Sequence, residues 1–221
     1  MQLKNDVFER KNVNGKLLDD GTYNLVMGGT LLWGFILNYF MVTSIDPAMI
    51  LSVNPILFFV GYFACAIAGV FMFNGSDNPA VSFLGYNLVV LPFGLVVNIV
   101  VHQYDPQIVQ QAILVTGMVT AGMMILGSLF PAFFRKIAGA LTIALFLVII
   151  AELILMFIFK SNPGIIDWIV VLIFCGYIGY DWVRANAIPK TLDNAIDSAA
   201  ALYMDIIILF LRILRIMGRR R

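Results

Sequence analysis

Residues 137–159 read Ile137-Ala-Gly-Ala-Leu-Thr-Ile-Ala-Leu-Phe-Leu-Val-Ile-Ile-Ala-Glu-Leu-Ile-Leu-Met-Phe-Ile-Phe159, an apolar run of 23 residues holding one acid, Glu152. A helix needs about 20 such residues to cross the hydrocarbon core of a bilayer. Working outward from this run, similar stretches occupy residues 23–45, 49–73, 80–101 and 108–130 before it, and 165–183 and 192–217 after it. Seven spans are therefore expected. Strands of a membrane barrel would alternate over about ten residues, and these runs do not. The fold class is all-α: a polytopic seven-helix bundle over residues 23–218, with a polar N-terminal tail over 1–22 and a basic tail over 219–221.

Composition agrees. Of 221 residues 61% are hydrophobic and only 12% are charged, against about 25% charged in an ordinary soluble domain. So little charge cannot cover a water-soluble globule, and disorder or a secreted disulfide scaffold is excluded as well. A net charge of +1 leaves no basic face for nucleic acid. Cys65 and Cys175 lie in apolar runs with no metal or redox spacing, and the lone histidine, His102, rules out a multi-histidine site. No Ser/His, GxGD or HExxH arrangement is present, so an enzyme is not expected, nor a resident cofactor. The first twenty residues are polar and mixed in charge, unlike a signal peptide.

Short connections make consecutive helices antiparallel neighbours. Pro55 and Pro92 fall inside the second and third runs, where kinks are expected. Asn38, Asn54, Asn87 and Asn98 read as hydrogen-bonding glue between helices. No internal repeat of the inverted-transporter kind is visible. Lys4, Arg10, Lys11, Lys16, Arg135, Lys136, Arg184 and Lys190 fall on one side of a seven-span layout. Among the loops of the other side there is only Lys160. The positive-inside rule then puts the N-terminus in the cytoplasm, and the cell membrane is the expected location. Seven full crossings would place Arg219, Arg220 and Arg221 outside, and the sequence leaves open whether the last segment crosses completely.

Ionisable groups in the spans carry the functional question, because each costs about 2.5–3.5 kcal/mol at the helix centre on insertion scales. They are Glu152, Asp181, Asp205, Arg212 and Arg215. Glu152 has no base near it in sequence, so a protonated residue facing the bundle is expected, with Glu152→Gln nearly neutral for stability. Asp205 and Arg212 are seven residues apart, two turns along one face, and with Arg215 they read as a polar seam. Asp181 and Asp205 flank a short hairpin. Entry of the last helix near Asp197 would bring the two acids level, whereas a start at Leu192 would separate them by more than a turn. A carboxylate pair holds one proton between its members and titrates as a unit; it also offers hard oxygens to calcium. The alternative is that each acid pairs with an arginine, Asp205 with Arg212 or Arg215.

Ala201-Leu-Tyr-Met-Asp205, followed by Leu209-Phe210 and Leu214-Arg215-Ile-Met-Gly218, resembles the last helix of the Bax inhibitor family, the transmembrane Bax inhibitor motif proteins. Tyr177-Ile-Gly-Tyr-Asp181 resembles the end of that family's sixth helix, at the expected interval of 24 residues between the acids. The N-terminal Thr22-Tyr-Asn-Leu-Val-Met-Gly-Gly29 adds a weaker likeness. The resemblance, to a bacterial-type member, implies a central last helix within two three-helix layers. It also implies a pH-sensitive calcium leak gated by an aspartate pair, here Asp181 and Asp205, with Arg215 matching a basic residue near the last helix's end. Three positions depart from the family pattern. The second run holds no acid to pair with that arginine, residues 74–79 hold no base, and Ile208 stands where an asparagine often follows the aspartate. The expected partners are the lipid bilayer and calcium as permeant or bound ion. The rival reading is a non-conducting regulator that binds a membrane protease or another membrane protein.

Overall fold

The dipeptides Asp46-Pro47, Asn54-Pro55, Asn78-Pro79 and Asp105-Pro106 each begin a helix. In the computed structural model, which describes residues 16–160 and 163–219, every one of these Asx side chains accepts a hydrogen bond from an amide just beyond its proline: Ala48 N at 2.9 Å, Ile56 N at 2.9 Å, Ala80 N at 3.0 Å and Gln107 N at 2.8 Å. The Asx caps the otherwise unsatisfied amides, and proline at the first helical position has no N–H to waste and a φ already suited to the helix. The helices are α1 (Asp20–Ser44), α2 (Pro47–Leu51), α3 (Pro55–Gly75), α4 (Pro79–Val101), α5 (Pro106–Leu129), α6 (Pro131–Phe157), α7 (Ile165–Ala187) and α8 (Leu192–Gly218). No strand occurs among the described residues.

This corrects the sequence reading in three places. The second apolar run does not kink at Pro55. It breaks there into the one-turn α2 and the long α3, with Asn54 as the cap of α3 and not as interhelical glue. Pro92 does lie within a continuous α4. Pro131 opens α6, so Arg135 and Lys136 lie within its first turns and do not separate two spans. The expected seven spans become, among the described residues, six helices long and apolar enough to cross a membrane, α1 and α3 to α7, together with α8. That last helix carries Asp193, Asp197, Asp205, Arg212 and Arg215 and is enclosed by protein: no residue from 193 to 218 is exposed. Of the tails, residues 1–15 and 220–221 lie outside the described residues, and with them Lys4, Arg10, Lys11, Arg220 and Arg221.

The chain forms two units. The first holds α1 to α4 through residue 99, the last turn of α7 from Arg184, and α8 as far as Ala201. Here polar side chains tie the helices together. The fully buried Tyr23 of α1 donates to the carbonyl of Ala185 at 3.0 Å and lies 3.1 Å from the Ser198 hydroxyl on α8. Ser82 of α4 donates to Asp193 Oδ1 at 2.6 Å. Asn98 donates to the carbonyls of Met41 and Ile45 at 2.8 and 2.9 Å, and Asn87 accepts from Trp33 Nε1 at 3.0 Å. Both are the interhelical glue expected of them. Gly69 and Gly85 let α3 and α4 touch backbone to backbone: a Cβ on either would come 2.5 or 2.7 Å from the other's carbonyl oxygen.

The second unit holds residues 100–183 and α8 from Leu202 onward. Exposed Ile143, Phe146, Leu147 and Phe157 on α6 and Leu114, Met118 and Ile125 on α5 form apolar surface too extensive for water and suited to lipid tails. On the inner side, a Cβ on Gly179 of α7 would collide with the Phe134 ring of α6, and one on Gly127 of α5 would come 2.9 Å from the Gly179 carbonyl. Trp182 Nε1 donates to Ser128 Oγ at 2.8 Å, and Tyr177 OH to Thr142 Oγ1 at 3.3 Å. These contacts hold α7 against α5 and α6 and so set the rotation of the helix that carries Asp181.

Candidate functional site

Asp181 and Asp205 meet. Their carboxyl groups are hydrogen-bonding neighbours across the α7–α8 pair. Asp205 is buried at 7% exposure, and its Oδ2 accepts no hydrogen bond among the described residues. Tyr177, one turn before Asp181 on α7, lies within electrostatic reach of both acids. The expectation that a helix beginning at Leu192 would keep them apart is thus corrected. Helix α8 does begin at Leu192, yet the acids are in contact. Residues 188–191 join the helices through a tight turn, in which the Thr191 amide donates to the Pro189 carbonyl at 3.0 Å.

The contact fixes an antiparallel register that explains the rest of the polar seam. Fourteen residues before Asp181 on α7 stands Asp167, and fourteen residues after Asp205 on α8 stands Arg219. Fourteen residues are nearly four helical turns, so each spacing returns to the same face. Arg219 Nη1 lies 3.1 Å from Asp167 Oδ2. Arg215 and Arg212, one and two turns nearer Asp205, reach the other oxygen, Oδ1, at 3.2 and 2.9 Å. Asp167 is fully buried, with three guanidiniums on its two oxygens.

Arg212 also grips Glu152 of α6. Its Nη2 donates to Oε2 at 2.9 Å and its Nη1 to Oε1, a bidentate fork. The expectation of a solitary Glu152 is therefore corrected. The base it lacks in sequence comes from 60 residues away. Pairing of Asp205 with Arg212 or Arg215 is likewise absent, because both arginines are drawn to Glu152 and Asp167. The seam is two separate groups: a carboxyl pair, and a cluster of two acids and three arginines about 10 Å farther along α8 by the helical rise.

Asp167 was missed by the sequence reading. It is a first-turn acid at the favourable end of the α7 dipole and reads as an ordinary helix start. Its signal was the matched fourteen-residue spacing, which has meaning only once Asp181 and Asp205 are taken as a pair. Asp193, tied to Ser82, was missed as well. Among the described residues no group of three or more His, Cys, Asp or Glu side chains is arranged to hold a metal ion. Two carboxylates offer at most four oxygens, fewer than the six to eight that calcium takes.

With this geometry in place, residues 17–221 match the family described as inhibitor of apoptosis-promoting Bax1. The chain belongs to the Bax inhibitor family. No curated protein matches it. The Bax inhibitor match covers all eight described helices, so the likeness first seen in residues 22–29, 177–181 and 201–218 extends over the helices between them as well. In this family member, the arginine near the end of the last helix finds its acid on α7, and its neighbour Arg212 finds one on α6. The absence of an acid from residues 49–73 is offset by acids on other helices.

Proposed function

We propose that this protein is a pH-sensitive calcium leak of the cell membrane, with its N-terminus in the cytoplasm and Asp181 and Asp205 as its gate. The observation that carries this reading is the contact between the two carboxyls inside the helix bundle. Two carboxylates in contact cannot both ionise cheaply, so they hold one proton between them, and that shared proton keeps α7 on α8. Raising the pH removes it. The acids then repel until a cation enters, and calcium suits their hard oxygens. The oxygen of Asp205 without a donor leaves an acceptor free for such an ion. Too few oxygens converge here for tight binding, which suits an ion that must also leave.

The test is calcium flux into liposomes holding the purified protein, at about pH 6 and about pH 8, for wild type and Asp205→Asn. The wild type should pass more calcium at the higher pH. In the variant, an amide donates permanently to Asp181 and the like-charge repulsion is gone, so the pH response should vanish. Equal pH responses in the two proteins would remove the pair from the mechanism. No flux from the wild type at either pH would leave the non-conducting regulator, which binds a membrane-protein partner.

A further inference from the structure

The arginine cluster carries more base than acid. Glu152 and Asp167 supply two negative charges, and Arg212, Arg215 and Arg219 supply three positive ones. Arg212 is spent, since its fork covers Glu152 and its Nη1 also reaches Asp167. Arg215 and Arg219 are different: each sends one nitrogen to Asp167 and leaves about a third of its side chain exposed, 37% and 35%. A guanidinium has five N–H donors in a planar fork. Arg215 donates to Oδ1 of the one buried carboxylate and Arg219 stands at ion-pair distance from Oδ2, which accepts no hydrogen bond, so both guanidiniums sit side by side with N–H donors to spare. Gly164 helps to shape this place, because a Cβ there would fall 2.7 Å from Arg219 Nη1.

The surroundings identify the partner. The end of α6, the start of α7 and the end of α8 converge here, and the same end of the unit exposes Phe157, Ile158, Phe159, Ile165 and Trp168. Apolar side chains and a tryptophan beside arginines are the composition of a bilayer interface, with tails against the former and headgroups against the latter. The acid in the adjoining turn, Asp105, is occupied in capping α5. We propose that Arg215 and Arg219 bind the headgroup phosphate of an anionic phospholipid, whose acyl chains lie along the exposed residues of α6 and α7. The planar forks match phosphate oxygens two by two, and the lipid's net negative charge, which zwitterionic lipids lack, balances the surplus arginine.

Native mass spectrometry of the purified full-length protein, equilibrated with equal amounts of phosphatidylglycerol and phosphatidylcholine, tests this directly. Two arginines at the membrane surface should give about a thirtyfold preference for retained phosphatidylglycerol. Arg219→Gln should reduce that preference, and Arg215→Gln with Arg219→Gln should bring it to parity. Should the double variant fail to fold, the single variant and the wild-type preference still decide. Equal retention of both lipids by the wild type overturns the proposal, as does an undiminished preference in Arg219→Gln. Thermal melting supplies the second arm. Phosphatidylglycerol should raise the Tm of the wild type, and inorganic phosphate should not; an equal rise with inorganic phosphate would identify a free-anion site and overturn the lipid.

Discussion

At the scale of single residues, the two acids of the arginine cluster are not equivalent. Asp167 is fully buried and shared by three guanidiniums, whereas Glu152 is partly exposed and serves one. Removing one partner of a buried ion pair costs about 3–5 kcal/mol because the other charge is left uncompensated. Asp167→Asn should therefore destabilise by about that amount. Glu152→Gln should cost less, about 1–2 kcal/mol, since Arg212 keeps Asp167 and the amide oxygen of the glutamine still accepts from it. Thermal melts of the two variants in the same detergent check the order. A second residue-scale test concerns Asp19, the cap of α1, whose carboxylate accepts from the Thr22 hydroxyl at 2.6 Å and from its amide at 3.0 Å. Those bonds hold it below the usual 3.8. Because the folded value is depressed, the cap contributes stability above the unfolded value and loses it as the pH falls through the folded one. Asp19→Ala should speed amide exchange in the first turn of α1 at neutral pH, and the difference from wild type should close in strong acid.

At the scale of elements, glycines separate into those that decide packing and those that do not. A methyl on Gly69 would meet the carbonyl of Gly85 at 2.5 Å, and backbone cannot swing aside as a side chain can. Helices α3 and α4 must then part. Gly69→Ala should destabilise by about 1–3 kcal/mol, the cost of overpacking. Gly28, one face of α1 away from any neighbour, has nothing within 4 Å of its Cβ position. Gly28→Ala should be neutral or slightly stabilising, because alanine holds a helix better than glycine. Melting of both variants against wild type gives the comparison, and equal losses would refute it. The same reasoning explains the helix starts. The four Asx-Pro pairs start helices and do not interrupt them, because proline is harmful only where a helix has already begun.

At the scale of the whole molecule, enclosure of α8 governs stability. From residue 193 to residue 218 no side chain is exposed, although five are charged. Lipid would not tolerate those charges, and for four of the five the protein supplies a named partner: Asp193 has Ser82, Asp205 has Asp181, and Arg212 and Arg215 have Glu152 and Asp167. Amide exchange should accordingly be slowest in α8. It should be faster in α3, whose outward face meets few side chains. Exchange of α8 as fast as that of α3 would contradict its enclosure. Of the basic tail, which the span count left hard to place, Arg219 stands 3.1 Å from the buried Asp167.

The membrane class, the positions of the long helices and the Asp181–Asp205 candidate were all legible in the sequence. Hydropathy is a property of consecutive residues, and the Tyr-Asp and Leu-Tyr-Met-Asp motifs are local strings. Tertiary structure alone decided which charge answers which. Glu152 looked solitary because its partner is 60 residues distant, and Asp167 looked like a helix start because its three arginines lie on another helix. Interhelical pairing depends on the rotation and stagger of neighbouring helices. Hydropathy constrains neither, because a helix apolar on nearly every face can turn about its axis without changing what it shows to lipid. The glycine contacts that hold α7 against α5 and α6, together with the carboxyl contact that registers it on α8, supply that missing information.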